Sequence, residues 1–365
     1  MSISTIIIYI MLFFMVVGVA DRVIFNNKYG YGSQFEEGIM AMGSLAIAMV
    51  GIMCFAPVLG NLLTPVISPL YRVIGADPAM VAGSFLAIDM GGYPLAKVMT
   101  DNVQIHHLSG IYIGAMMGAT VVFSIPVSLG IIEAEDKPFL AKGMLAGFIA
   151  IPFGALVSGI LSGISIGVII INLVPSIILS VLFALGLWKI PESMLKGFNV
   201  FARFITIVIT ICLGAAIIEG LIGIQVIPGM DPIGPQLETV GIIAVTLAGA
   251  YPLVHFITTV FSKPLMRLGK VMGVNDVAAA GMIACLANNI PMFGMLKRMD
   301  DRGKVLSVAF SVCASFALGD HLGYASAQDP QVIMPMILGK IAGGVVAIVI
   351  ASLLVVKKSS KTAEV

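Results

Sequence analysis

Stretches long and apolar enough to cross a membrane recur along almost the whole chain. A run of about 18 or more apolar residues spans the hydrocarbon core as a helix. The 365 residues hold about eleven such runs: 4–25, 39–63, 79–99, 109–131, 141–162, 165–188, 199–222, 238–261, 276–297, 304–325 and 332–356. Charged residues make up only 11% of the chain, against roughly 25% in soluble domains. Mean hydropathy is +1.08. These features predict an all-α, polytopic integral membrane protein with about 9–11 transmembrane helices and no soluble domain. The 21–37 connection is polar and 225–238 is a Pro/Gly loop.

A net charge of +1 leaves no basic face for nucleic acid. The four cysteines lie in apolar segments without CxxC or Cys/His spacing, as small buried residues do. His106-His107 lacks a third ligand at helical spacing and is placed in an outer loop. No metal and no cofactor is expected. A membrane enzyme would need a nucleophile–base pair or a metal set at one depth, and neither HExxH nor GxSxG is present.

An internal repeat orders the chain. Residues 69–99, "PLYRVIGADPAMVAGSFLAIDMGGYPLAKVM", match 264–299, "PLMRLGKVMGVNDVAAAGMIACLANNIPMFGMLKRM", in the order of their features. Both have Pro-Leu-x-Arg, a Gly followed by an Asp, a small-residue apolar run, a polar break, a proline and a lysine. Further on, 140–151 resembles 337–348. Residues 1–365 therefore form one transmembrane transporter domain, with repeat 1 at about 39–162, linking helices at about 165–222 and repeat 2 at about 238–356.

Lys and Arg bias in short loops sets topology. If all eleven segments span, the two faces carry ten and nine basic residues, with Lys340 inside a span. If 79–99 and 276–297 are re-entrant, seventeen fall on one face and only Arg72 and Lys97 on the other. If 276–297 alone is re-entrant the split is sixteen to three, so the first hairpin rests mainly on the repeat. The two-hairpin arrangement has nine full spans, the N-terminus outside and the C-terminus cytoplasmic. It also makes the repeats inverted, a plan in which broken helices meet near the midplane at the substrate site.

The breaks carry the chemistry. "AIDMGGYPLA" (87–96) sets Asp89 beside Gly91, Gly92, Tyr93 and a proline after an apolar run. Freed backbone groups cost several kcal/mol each in lipid unless they are buried in protein or line a wet cavity. A carboxylate at depth costs at least about 2.5–3.5 kcal/mol on insertion scales. Both costs fall if this break, and "NNIP" (288–291) in the second repeat, enclose a hydrated site. Asp89, Tyr93, Asn288 and Asn289 are thus the substrate-binding candidates. Secondary or gating candidates are Gly91, Gly92, Glu219, Tyr251, His255, Asp320 and Tyr324. Of these, Glu219 fits a cavity or a surface equally, His255 as a lone histidine fits a structural role, and "GDHLGYAS" (319–326) fits an outer gate or a plain loop. Lys340 fits a structural pairing or snorkelling role.

A site of a carboxylate, amides and tyrosines suits a small polar cation. An ammonium is a point charge with three donors, aromatic faces add cation–π attraction, and amides read a hydroxyl. An anion stays as the alternative, with helix N-termini to hold it but no arginine at depth to clamp it.

"IDMGGYPLAKVM", "ANNIPMFGMLKRMDDRGKV" and "ALGDHLGYAS", in this order, resemble the ethanolamine-utilisation permease family over essentially the whole chain. The resemblance implies a bacterial inner-membrane carrier that imports ethanolamine, with the lipid bilayer and ethanolamine as its partners. A homo-oligomer is left open. In this reading protonated ethanolamine binds between the repeats, with Asp89 on the ammonium, Asn288 and Asn289 on the hydroxyl and Tyr93 in the wall. Membrane potential alone can drive such a uniport; ion-coupled transport of another small solute, such as an organic anion, is the alternative.

Overall fold

The computed structural model describes residues 3–260, 267, 269 and 271–355. Lys263, the Pro264-Leu265 that opens the second repeat stretch, Lys270 and the tail lysines lie outside them.

Every regular element described is helical. Eight helices are long and apolar enough to cross a membrane, which makes this a multi-pass membrane protein. In chain order α1 is Ile3–Ile24 and α2 is Tyr31–Val73. A short α3 (Met80–Phe85), a π turn (Ile88–Gly92) and α4 (Tyr93–Met99) follow. The long α5 (Val103–Ile131), α6 (Lys137–Leu161), α7 (Ile166–Lys189), α8 (Pro191–Ile222) and α9 (Ile233–Val260) come next. The chain continues through α10 (Asp276–Cys285), α11 (Asn289–Met295), α12 (Asp301–Ala314), α13 (Asp320–Gln328) and α14 (Ile333–Val355).

The polar 21–37 connection shrinks to a turn at 25–30. The buried Asp21 carboxylate accepts from the Tyr29 and Gly32 amides at 3.1 and 3.0 Å, and Arg22 pairs with Glu36. These contacts fasten the end of α1 to the start of α2, so polar residues expected in a loop complete helices instead. At 43 residues, α2 carries Pro57, Pro65 and Pro69 inside it. Its length of about 65 Å at 1.5 Å per residue is twice the roughly 30 Å core.

The two segments with expected breaks are both hairpins, because their ends meet. Thr100 Oγ1 donates to Asp77 Oδ2 at 2.8 Å, which closes α3–α4. The Asn275 amide donates to Asp300 Oδ1 at 2.7 Å and Asn275 Nδ2 to the Arg298 carbonyl at 3.0 Å, which closes α10–α11. The same polar residues start helices: Asp77 accepts from the Ala79 amide and Asn275 from that of Ala278. Each hairpin leans on the long segment that follows it, the first on α5 and the second on α12.

Both hairpin tips rest on a glycine. A Cβ on Gly118 of α5 would lie 1.9 Å from the Leu86 carbonyl oxygen. A Cβ on Gly319, just before α13, would lie 2.0 Å from that of Ala287. Leu86-Ala87 and Leu286-Ala287 are the same dipeptide at the two tips; Gly118 meets the Leu carbonyl of the first and Gly319 the Ala carbonyl of the second.

The expected continuous segment 304–325 is interrupted at 315–319, between α12 and α13. The freed backbone there is satisfied by the second hairpin's tip: the Phe316 amide donates to the Cys285 carbonyl at 3.0 Å and that of Leu318 to Leu286 at 2.8 Å. Its counterpart α5 stays continuous but is π-wound over His107–Gly118 and Thr120–Ser124, a winding common at functional sites.

Candidate binding site between the interrupted helices

The tip of the first hairpin faces the break between α12 and α13. The first contributes Ala87, Asp89 and Met90. The second contributes Phe316, Asp320 and His321, and α5 closes the gap with Ala119 and Phe123. The space is small, about 30 Å³, enough for a water or two.

The local sequence explains each wall. Gly91 sits at φ +96, and a Cβ there would lie 2.4 Å from Ile52 Cγ1. A left-handed residue against α2 therefore has to be glycine. That turn interrupts the helical path beside Asp89, which lines the cavity. Gly92 is needed for space as well: its Cβ would meet the Leu86 carbonyl at 2.6 Å. On the facing wall Phe316 has φ +63, an outlier for a bulky side chain. Its ring packs on Phe123 and His321 at centroid distances of 5.6 and 5.0 Å. Strain of this kind collects at functional sites.

Two carboxylates share the cavity, and Asp320 and Lys340 are the charged residues whose fields reach Asp89. Tyr251 of α9 donates its hydroxyl to Asp320 Oδ1 at 2.8 Å, which fixes that carboxylate. Behind the cavity Lys340 of α14 is 1% exposed. Its ammonium donates to the Ala115 carbonyl in the π-wound part of α5 and lies 3.2 Å from His321 Nδ1. With all three ionised, two carboxylates and one ammonium leave a surplus of one negative charge.

The other sequence candidates fall around this centre. Tyr93 is buried in the wall of a separate, larger space near the open end of the first hairpin, lined also by Lys97, Asp231 and Gln328. Tyr324 is buried edge-on to Tyr93 at 6.3 Å, and its hydroxyl has no partner. These rings lie between the larger space and the carboxylates. Asn288 and Asn289 do not line the cavity. Asn288 caps α11 by accepting from the Ile290 amide at 2.9 Å. Asn289 is fully buried and donates Nδ2 to Ser124 Oγ at 2.8 Å, while its Oδ1 has no partner. Glu219 sits on α8 near Cys54, away from the cavity. His255 lies at the α1–α2 turn, 3.1 Å from the Tyr29 carbonyl and edge-on to Tyr31.

The expected outer loop at His106-His107 lies within the start of α5, where both rings stack on Tyr93. "GDHLGYAS" is neither a loop nor the outer end of a span: it begins a half-helix at the level of Asp89. Sequence reading passed over His321, since nothing local marks a break at "SFALG" except the polar Gly-Asp-His after it. Among the described residues no group of three metal-ligating side chains converges.

The family model "Ethanolamine utilisation protein, EutH" matches residues 3–354. The chain belongs to the EutH family. Among curated relatives, a "Probable ethanolamine permease EutH" of Listeria monocytogenes is 53% identical, covering 96% of this chain and 94% of its own. One of Salmonella typhimurium with the same name is 49% identical, covering 98% and 97%. An "Uncharacterized protein YxeR" of Bacillus subtilis is 43% identical, covering 99% and 97%. No solved structure matches. The EutH chain described here thus carries the interrupted helices and the carboxylate pair on a fold for which no experimental relative was found.

Proposed function

We propose that this EutH-family protein carries ethanolamine across the bacterial inner membrane as the ammonium, bound between Asp89 and Asp320. The observation that carries the reading is the carboxylate pair in one small cavity where two interrupted helices meet. An ammonium supplies the missing positive charge and three donors for carboxylate oxygens. Between two partly buried carboxylates such charge matching is stronger than in open water. The names of the relatives supply the amine.

Alternating access is supported by the repeat. Among the described residues five membrane-length helices, α5 to α9, separate the two hairpins. An odd number of crossings makes the hairpins open on opposite faces, the inverted arrangement of many carriers. Single cysteines at Thr100 and Asp300 are expected to react with a membrane-impermeant thiol reagent from opposite sides, against a background of four buried native cysteines. Labelling of both from one side refutes the inversion.

Substrate class is tested by competition. Small primary amines are expected to inhibit labelled ethanolamine uptake, and carboxylates of the same size to leave it unchanged. Inhibition by carboxylates alone would assign the site to an organic anion.

A further inference from the structure

A carboxylate pair explains the ammonium but not the hydroxyl, which is what distinguishes ethanolamine from any other short amine. The amides that sequence reading assigned to the hydroxyl are engaged elsewhere: Asn288 as a cap and Asn289 toward Ser124. His321 is the polar side chain of the cavity wall that remains.

We infer that His321 reads the substrate hydroxyl by donating from Nε2, and that Lys340 sets this role by pinning the imidazole tautomer. The inference rests on the proposed ammonium site. His321 is 3% exposed, and its ring forms part of the cavity wall. Its Nδ1 faces Lys340 at 3.2 Å. An ammonium only donates, so Nδ1 accepts and the ring proton of the neutral imidazole sits on Nε2. Lys340 is itself held, through its bond to the Ala115 carbonyl. α14 is pressed close against α6, where a Cβ on Gly339 would lie 1.9 Å from Ser158 Oγ. The lysine therefore cannot drift from the histidine without moving a packed helix. Among the described residues Nε2 has no hydrogen-bond partner, so the donor is left for the cavity. There it complements the substrate: the carboxylates accept from the ammonium, and the imidazole donates to the hydroxyl oxygen. Lys340 touches no substrate and is a positioning residue.

The test compares ethanolamine with ethylamine, which has the ammonium and no hydroxyl, by competition on the full-length protein in liposomes. Wild type is expected to prefer ethanolamine by about two- to tenfold, the value of one hydrogen bond. In His321→Phe, which keeps a ring and loses both nitrogens, the ratio falls to about one. His321→Gln, with an amide donor near the Nε2 position, recovers part of it. Lys340→Met lowers the ratio and shifts the ¹⁵N spectrum of His321 from the Nε2–H tautomer toward a mixture of the two; a spectrum that keeps the Nε2–H tautomer overturns the role of Lys340. In the unmutated protein, ¹⁵N spectra are expected to show the Nε2–H tautomer, a readout that does not depend on any variant folding. An Nδ1–H tautomer, no preference in wild type, or an unchanged ratio in His321→Phe overturns the inference. The two readings fail separately. If Asp89→Asn abolishes binding of both amines while His321→Phe keeps the ratio, only the hydroxyl assignment falls. If Asp89→Asn leaves ethylamine binding intact, the ammonium site itself is wrong.

Discussion

Asp89→Asn is expected to abolish saturable ethanolamine uptake while the protein still inserts and folds. Removing one partner of a desolvated charge pair costs about 2–5 kcal/mol, which is about 30-fold to several thousand-fold in affinity. Asparagine keeps the size of the side chain and one acceptor oxygen, so the Gly91 turn and its packing on Ile52 persist. What is lost is the charge that matches the ammonium. Glu219→Gln is the internal control, because Glu219 lies outside the cavity on α8, and its uptake should stay within about twofold of wild type, since surface changes are usually small. Uptake kinetics for purified proteoliposomes check both variants. Normal kinetics in Asp89→Asn would remove the aspartate from the site, and a large loss in Glu219→Gln would place the cation path along α8.

Gly118→Ala is expected to destabilise the protein strongly. The new Cβ would lie 1.9 Å from the Leu86 carbonyl oxygen and 2.3 Å from its carbon. Backbone cannot rotate aside as a side chain can, so the first hairpin must move off α5. Overpacking typically costs about 1–3 kcal/mol and more where nothing yields, and Gly118→Ala belongs at or above the top of that range. Gly319→Ala, facing the Ala287 carbonyl at 2.0 Å, should behave alike, since there too the obstacle is a backbone carbonyl at a hairpin tip. Gly214→Ala on α8, with nothing within 4 Å of its Cβ, should be neutral or slightly stabilising through helix propensity. Thermal unfolding in one detergent compares the three. Equal midpoints for Gly118→Ala and Gly214→Ala would show that the hairpin is not seated as described.

The sequence disclosed those features that change composition. Apolar length gave the spans. Charge counting and the repeat gave both hairpins, now seen in the Asp77–Thr100 and Asn275–Asp300 closures. Asp89 was legible because a carboxylate with Gly-Gly and Pro is costly anywhere except beside a cavity. The facing wall was not. The break at 315–319 has no proline, and its backbone is satisfied from a distance by Cys285 and Leu286. Such long-range pairing leaves no local pattern. For the same reason Asn288 and Asn289 looked like binding groups: a polar pair at a break signals capping and packing as strongly as it signals a ligand. Lys340 was placed inside a span with a pairing or snorkelling role, but its partners, Ala115 and His321, come from two other helices.

The central claim is that the carboxylate pair carries ethanolamine as a cation. The most direct measurement is uptake of labelled ethanolamine into liposomes holding the purified protein, under a potassium-diffusion potential, negative inside, without a sodium or pH gradient. Each charge gains about 2.3 kcal/mol per 100 mV. The account predicts saturable accumulation that disappears when the potential is collapsed. Folded protein that gives no uptake above empty liposomes, or uptake indifferent to the potential, would contradict it.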